Sequence, residues 1–176
     1  EGSSVQFIAS ATIGFDHIDQ EYCSKHRIKW TNAPGCNASS VQQYIASVLA
    51  TLNQQLPFRQ DRPTLGIIGV GNVGSKVERL ARILDMNVLL NDPPRERKEG
   101  GSQWRSFREV ILNADIISLH VPLNRNGRDK THHLIDRELL ENLSPHSILI
   151  NTSRGEVVDN EALKHALRNQ WIHKAI

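Results

Sequence analysis

The chain has 176 residues, enough for one good-sized domain or for one domain plus part of another. An apolar share of 39% and a charged share of 23% belong to a folded globular protein and exclude a disordered one. A net charge of +2, with bases interleaved among acids, excludes an electrostatic footprint for nucleic acid, and no apolar run approaches the roughly 20 residues that span a bilayer.

In chain order, residues 5–9 predict a strand, residues 16–26 a helix and residues 28–31 a second strand, a short β-α-β pattern closed by the turn signal Pro34-Gly35. Residues 1–35 are therefore assigned to one domain segment. A long helix follows, capped by Asn37 or Ser39, with Val41, Tyr44, Ile45, Val48, Leu49 and Leu52 at helical spacing and a stop at Pro57. Residues 36–57 are expected to link two domains, and residues 58–176 to form the second. There, strands at 65–69, 87–91, 115–120 and 147–151 alternate with helices at 72–84, 107–112, 136–143 and 160–169. Nearly continuous apolar strands between helices predict an α/β fold, a Rossmann-type doubly wound parallel sheet. Residues 172–176 read as the start of a further strand, and the opening without Met reads as mid-chain, so an incomplete sheet in a fragment of a longer protein is expected.

Gly69-Val70-Gly71-Asn72-Val73-Gly74 lies directly after a strand and opens a helix, the context that makes a G-x-G-x-x-G sequence specific for a dinucleotide. Gly69 serves the tight turn, Gly71 the approach of a pyrophosphate to the backbone, and Gly74 close packing of helix on strand. Asp92 ends the next strand. It is read either as the carboxylate that binds the adenosine ribose hydroxyls and repels a 2′-phosphate, favouring NAD, or as a turn aspartate before Pro93-Pro94. Arg95 and Arg97, close by in sequence, bear on that choice in the opposite direction.

After the strand at 147–151 comes Asn151-Thr152-Ser153-Arg154-Gly155. Ligands in open α/β sheets bind beyond the carboxyl ends of strands, so Arg154 is read as recognising a substrate carboxylate or carbonyl, or as a surface ion-pair residue. All eight histidines, His120 at a strand end included, are read as structural or surface groups. His17 beside Asp16 and Asp19, and Cys23 and Cys36, show no metal-ligand spacing; no metal and reduced thiols in a cytoplasmic protein are expected. The three tryptophans are scattered and form no stacking platform for nucleic acid.

The set of the glycine loop, Asp92, His120-Val121-Pro122-Leu123 and Ser153-Arg154-Gly155 resembles the D-isomer-specific 2-hydroxyacid dehydrogenases. Within them, residues 11–19 (ATIGFDHID), residues 33–38 (APGCNA) and residues 91–95 (NDPPR) resemble the branch that oxidises 4-phosphoerythronate in vitamin B6 (pyridoxine) biosynthesis. The resemblance runs along nearly the whole chain. It implies hydride transfer from 4-phospho-D-erythronate to NAD, giving the 2-oxo acid. It also implies a cofactor domain inserted into a flavodoxin-like α/β substrate domain, of which residues 1–35 are a fragment. By the same resemblance Arg154 is catalytic and also near the cofactor, and Thr12 contacts substrate. Contacts to NAD fall to Gly69, Gly71, Asn72, Val73, Gly74, Asp92, Val121, Thr152 and Ser153. The branch's catalytic glutamate and the histidine it orients are expected beyond residue 176, which would leave the isolated chain inactive. A homodimer is expected, with the long helix either at its interface, as the resemblance implies, or packed on the chain's own sheet, and with no nucleic-acid or membrane partner. Alternatives are a related dehydrogenase of phosphoglycerate, lactate or glycerate, and a non-catalytic NAD-sensing protein of the corepressor kind.

Overall fold

The computed structural model describes residues 4–55 and 62–176; the expected helix stop at Pro57 and the domain boundary beside it lie outside the described residues. β1 (Phe7–Ala9) and β2 (Lys29–Thr31) pair in parallel, joined through α1 (Gln20–Lys25). α1 starts later than the sequence pattern predicts. The Asp19 carboxylate accepts from the Tyr22 N–H at 2.8 Å and caps the helix, while the Ile18 N–H closes a turn on the Phe15 carbonyl. An aspartate that caps a helix has non-helical backbone, so residues 16–18 stay outside it. α2 (Ala38–Gln55) follows, and Ile45, Leu49 and Leu52 form its buried stripe.

The rest of the chain builds one all-parallel sheet from β3 (Thr64–Ile68), β4 (Asn87–Asn91), β5 (Ile116–Leu119), β6 (Ile148–Asn151) and β7 (Lys174–Ala175). Their spatial order is β4-β3-β5-β6-β7, so the strand expected at the C-terminal end is present. Trp104 forms a parallel bridge with Leu90 on the free side of β4. Counting that bridge, the order is the 3-2-1-4-5-6 of a dinucleotide-binding sheet with its third strand reduced to one residue.

Successive residues of these strands face opposite sides. Ile67, Ile116, Ile148 and Ile150 pack with α2 and with Val77 and Ala81 of α3 (Asn72–Ile83). Ile68, Ile117 and Leu149 pack with α5 (Phe107–Asn113), α6 (Arg137–Glu141) and α7 (Asn160–Arg168). Both faces are covered, which is why the strand sequences are nearly continuous apolar runs rather than alternating ones.

One helix was not expected. α4 (Pro93–Glu99) starts on the very prolines that signal a turn. Proline suits the first helical turn because its missing N–H has no intrahelical partner there, and Asp92 supplies the cap by accepting from the Arg95 N–H at 3.0 Å. Among the described residues no helix is long and apolar enough to cross a membrane.

Candidate dinucleotide site and its arginine neighbour

The glycine loop joins β3 to α3 at the carboxyl edge of the sheet. Gly69 has φ +86°, and a β-carbon there would sit 2.6 Å from the His120 carbonyl oxygen. At Gly74 a β-carbon would overlap the Gly69 carbonyl oxygen, so the helix packs on the strand only through glycine. Gly71 differs, since a β-carbon would meet nothing within 4 Å. Its lack of a side chain leaves open space in front of α3, whose N-terminus carries no side-chain cap. Free N–H groups and a positive dipole end facing open space suit a phosphate. The loop therefore fits a dinucleotide pyrophosphate.

Asp92 and Arg95 hold the loop from outside. The Asp92 carboxylate accepts from the Val70 N–H at 2.7 Å, and Arg95 Nη1 donates to the Val70 carbonyl at 2.5 Å. The two peptide units that flank Val70, between the first two glycines, are thus each fixed by the Asp-Pro-Pro-Arg segment. Arg95 is itself fixed by a two-pronged pair with Glu99, both bonds 2.8 Å, and by stacking 5.2 Å over the Trp104 ring. It is engaged in building the loop, which removes it as a ready partner for a 2′-phosphate.

A cleft of about 470 Å³ opens between the glycine loop and the segment after β5. Gly69, Gly71, Asp92, His120 and Val121 line it, together with Pro93, Pro94 and Arg97 from α4. The expected residues Gly69, Gly71, Asp92 and Val121 are therefore brought to one cleft. Asn72, Val73 and Gly74 form the first turn of α3 behind it.

His120 is a structural group, as the sequence reading has it, with partners that reading did not anticipate. Its ring shares one hydrogen bond with Ser118 Oγ (3.0 Å) and another with Thr152 Oγ1 (3.0 Å), tying the end of β5 to the loop after β6. The i, i+2 spacing of Ser118 and His120 was the available signal, because it puts both on one side of a strand. Burial lowers the His120 pKa to about 4, so the ring is neutral at physiological pH. Between about 4 and the ordinary 6.5 the unfolded chain takes up the proton and the folded one does not. Stability should therefore fall as pH drops through that window, by up to about 3 kcal/mol from this group. Urea unfolding at pH 7 and pH 4.5 should show a smaller decline for His120→Asn than for the parent. Equal declines would mean that His120 is not the group responsible.

Arg154 leaves the end of β6 on a loop shaped by Asn151. Asn151 Oδ1 accepts from the Ser153 N–H (3.0 Å) and hydroxyl (2.7 Å), and its amide donates to the Arg154 carbonyl (2.9 Å). The guanidinium reaches back to the loop after β1. Its Nε donates to Asp16 Oδ2 at 2.5 Å and its Nη1 to the Ser153 carbonyl at 2.9 Å. It lies so close over Gly14 that any β-carbon there would collide with it. Thr12 belongs to the same loop, donating to the Gly14 carbonyl at 2.8 Å and sharing a hydrogen bond of 2.8 Å with Ser10. Arg154 therefore makes the ion pair that one reading expected, its side chain about one-third exposed and that of Asp16 about half. The pair sets the guanidinium against Gly14, in the loop that also carries Thr12. Gly14 and Asp16 lie within the motif read from the sequence, although neither was singled out as a contact of Arg154.

Residues 40–176 match the family described as D-isomer specific 2-hydroxyacid dehydrogenase, NAD binding domain, and residues 1–75 match the catalytic domain of the same family. The chain is 50% identical over 175 residues to an erythronate-4-phosphate dehydrogenase of Bacteroides fragilis, covering 99% of this chain and 50% of that protein. It is 51% identical to the enzyme of that name from Bacteroides thetaiotaomicron, covering 100% and 51%. The chain thus spans about half the length of the curated relatives it matches. Among solved structures, it resembles an Aquifex aeolicus D-lactate dehydrogenase complexed with NAD and lactic acid (TM-score 0.77, 34% identity, 97% of this chain and 56% of that one). It also resembles an NAD-bound 3-phosphoglycerate dehydrogenase of Entamoeba histolytica (TM-score 0.80, 28% identity, 97% and 56%).

Proposed function

The chain belongs to the D-isomer specific 2-hydroxyacid dehydrogenase family, and we propose that the whole protein oxidises 4-phospho-D-erythronate to 2-oxo-3-hydroxy-4-phosphobutanoate with NAD, a step in making vitamin B6. The observation that carries this reading is the juxtaposition of a dinucleotide cleft with Arg154 and the Thr12–Gly14 segment at the same end of the fold. The choice of substrate within the family is supported by the relatives named erythronate-4-phosphate dehydrogenase.

In this reading Asp92 receives the adenosine ribose hydroxyls, Gly69, Gly71, Asn72, Val73 and Gly74 receive the pyrophosphate, and Val121, Thr152 and Ser153 flank the remainder. The bound NAD supplies the hydride acceptor. Arg154 binds the substrate carboxylate and polarises C2, a task for which its planar fork is suited. Thr12 contacts the substrate from the facing loop. His120 has both ring nitrogens engaged and is not the group that takes the hydroxyl proton.

We assign residues 1–35 to the substrate domain, 36–57 to an interdomain helix and 58–176 to the NAD domain, because β1 and β2 form a sheet of their own. A cytoplasmic homodimer fits the metabolic role and the apolar groove lined by Ala46, Ala50, Leu80, Leu84 and Met86. Light scattering at the monomer mass for the full-length protein would contradict the dimer.

The test is a steady-state assay of the full-length protein with NAD, following NADH, on 4-phosphoerythronate, 3-phosphoglycerate and D-lactate. Turnover of 4-phosphoerythronate should exceed the others by about a hundredfold in kcat/KM, since a site built for particular polar groups rejects analogues that leave them unpaired. Preference for either control would keep the family and remove this substrate. NAD binding without turnover of any hydroxy acid would favour a sensor.

A further inference from the structure

We propose that Asp129 is a specificity-determining residue for the cofactor: by holding Arg97 across the mouth of the cleft, it keeps a cation from the ribose edge that Asp92 faces and so excludes a 2′-phosphorylated dinucleotide. The inference rests on the NAD reading of the cleft.

The face of α4 that lines the cleft carries Pro93, Pro94 and Arg97, the spacing that places residues on one side of a helix. Arg97 therefore shares a wall with Asp92. A guanidinium in that position is what a 2′-phosphate would seek, because its fork matches phosphate oxygens in pairs. It is already taken. Arg97 Nη2 donates to Asp129 Oδ2 at 2.5 Å, with both side chains about two-thirds covered.

Asp129 is held firmly enough to act as an anchor. Asn124 Nδ2 donates to its carbonyl at 2.9 Å. The Asn124 N–H in turn donates to Thr131 Oγ1 at 2.7 Å, and Thr131 Oγ1 donates to the Pro122 carbonyl at 2.5 Å. The loop thus presents its carboxylate from a braced backbone. Arg128 and Lys130 flank Asp129 in the same wall, so Asp129 is the acid that offsets the bases there. Arg95, the other cation on α4 near Asp92, is engaged by Glu99 and the Val70 carbonyl. The discrimination then has two parts, repulsion by Asp92 and sequestration of Arg97.

The experiment measures dissociation constants of NAD and NADP by calorimetric titration of the full-length protein. For Asp129→Asn, the ratio Kd(NADP)/Kd(NAD) should fall about tenfold, equivalent to ~1.4 kcal/mol. In Asp129→Asn combined with Arg97→Ala, that gain should vanish. Arg97→Ala alone should not improve NADP binding. An unchanged ratio in Asp129→Asn overturns the proposal. So does a gain that persists without Arg97, which would show that Arg128, Lys130 or simple loss of repulsion is responsible. Failure of the unaltered protein to bind NAD at all would instead remove the underlying reading of the cleft.

Discussion

If the proposed function holds, replacing Arg154 by alanine is expected to lower kcat/KM of the full-length protein for 4-phosphoerythronate by about a hundredfold or more, the scale seen when a preorganised charge facing the reacting centre is removed. Arg154→Lys should recover only part of this. Lysine supplies a point charge, whereas the planar group of Arg154 lies close against Gly14 and bonds at once to Asp16 and the Ser153 carbonyl. Stability should change little, because a partly exposed ion pair contributes about 0–1 kcal/mol. The split between lost turnover and retained stability is the informative part. Normal kinetics in a folded Arg154→Ala protein would remove Arg154 from the chemistry.

The second large effect separates two glycines that a sequence pattern treats alike. Gly74→Ala places a methyl group on the Gly69 carbonyl oxygen, a backbone atom with little room to move. Its cost should be about 1–3 kcal/mol of folding stability, the range for overpacking, with NAD binding weakened as a consequence. Gly71→Ala projects into open space. It should leave stability within about 0.5 kcal/mol, as surface substitutions usually do, while weakening NAD where the phosphate would approach. Urea unfolding and NAD titration on both variants give the contrast. Equal stability losses at both positions would contradict the division of roles.

The features legible in the sequence are those that depend on near neighbours. The glycine loop could be placed because a strand, three glycines and a helix start follow each other without a gap. The strands could be placed because a sheet buried on both faces needs nearly continuous apolar runs, as in residues 148–150. α4 was not legible, since Pro93-Pro94 signals a turn and a helix N-terminus with equal force until Asp92 is seen to cap it. The partners of His120 were hidden because Thr152 arrives from a different strand. The pairing of Arg154 with Asp16 joins residues 138 positions apart. No local pattern records it, although both residues stand in motifs that the sequence displays. The bracing of Val70 by Asp92 and Arg95 is intermediate: the residues form a conspicuous string, yet only the fold shows which backbone groups they grip.

The most direct measurement is a crystal structure of the full-length protein grown with NAD. The ribose hydroxyls of the adenosine half should bond to Asp92, the pyrophosphate should lie on the N–H groups at the start of α3 over Gly71, and the nicotinamide should extend toward Arg154. A cofactor lying elsewhere, or turned so that its nicotinamide meets Asp92, would contradict the assignment of the cleft and the roles derived from it.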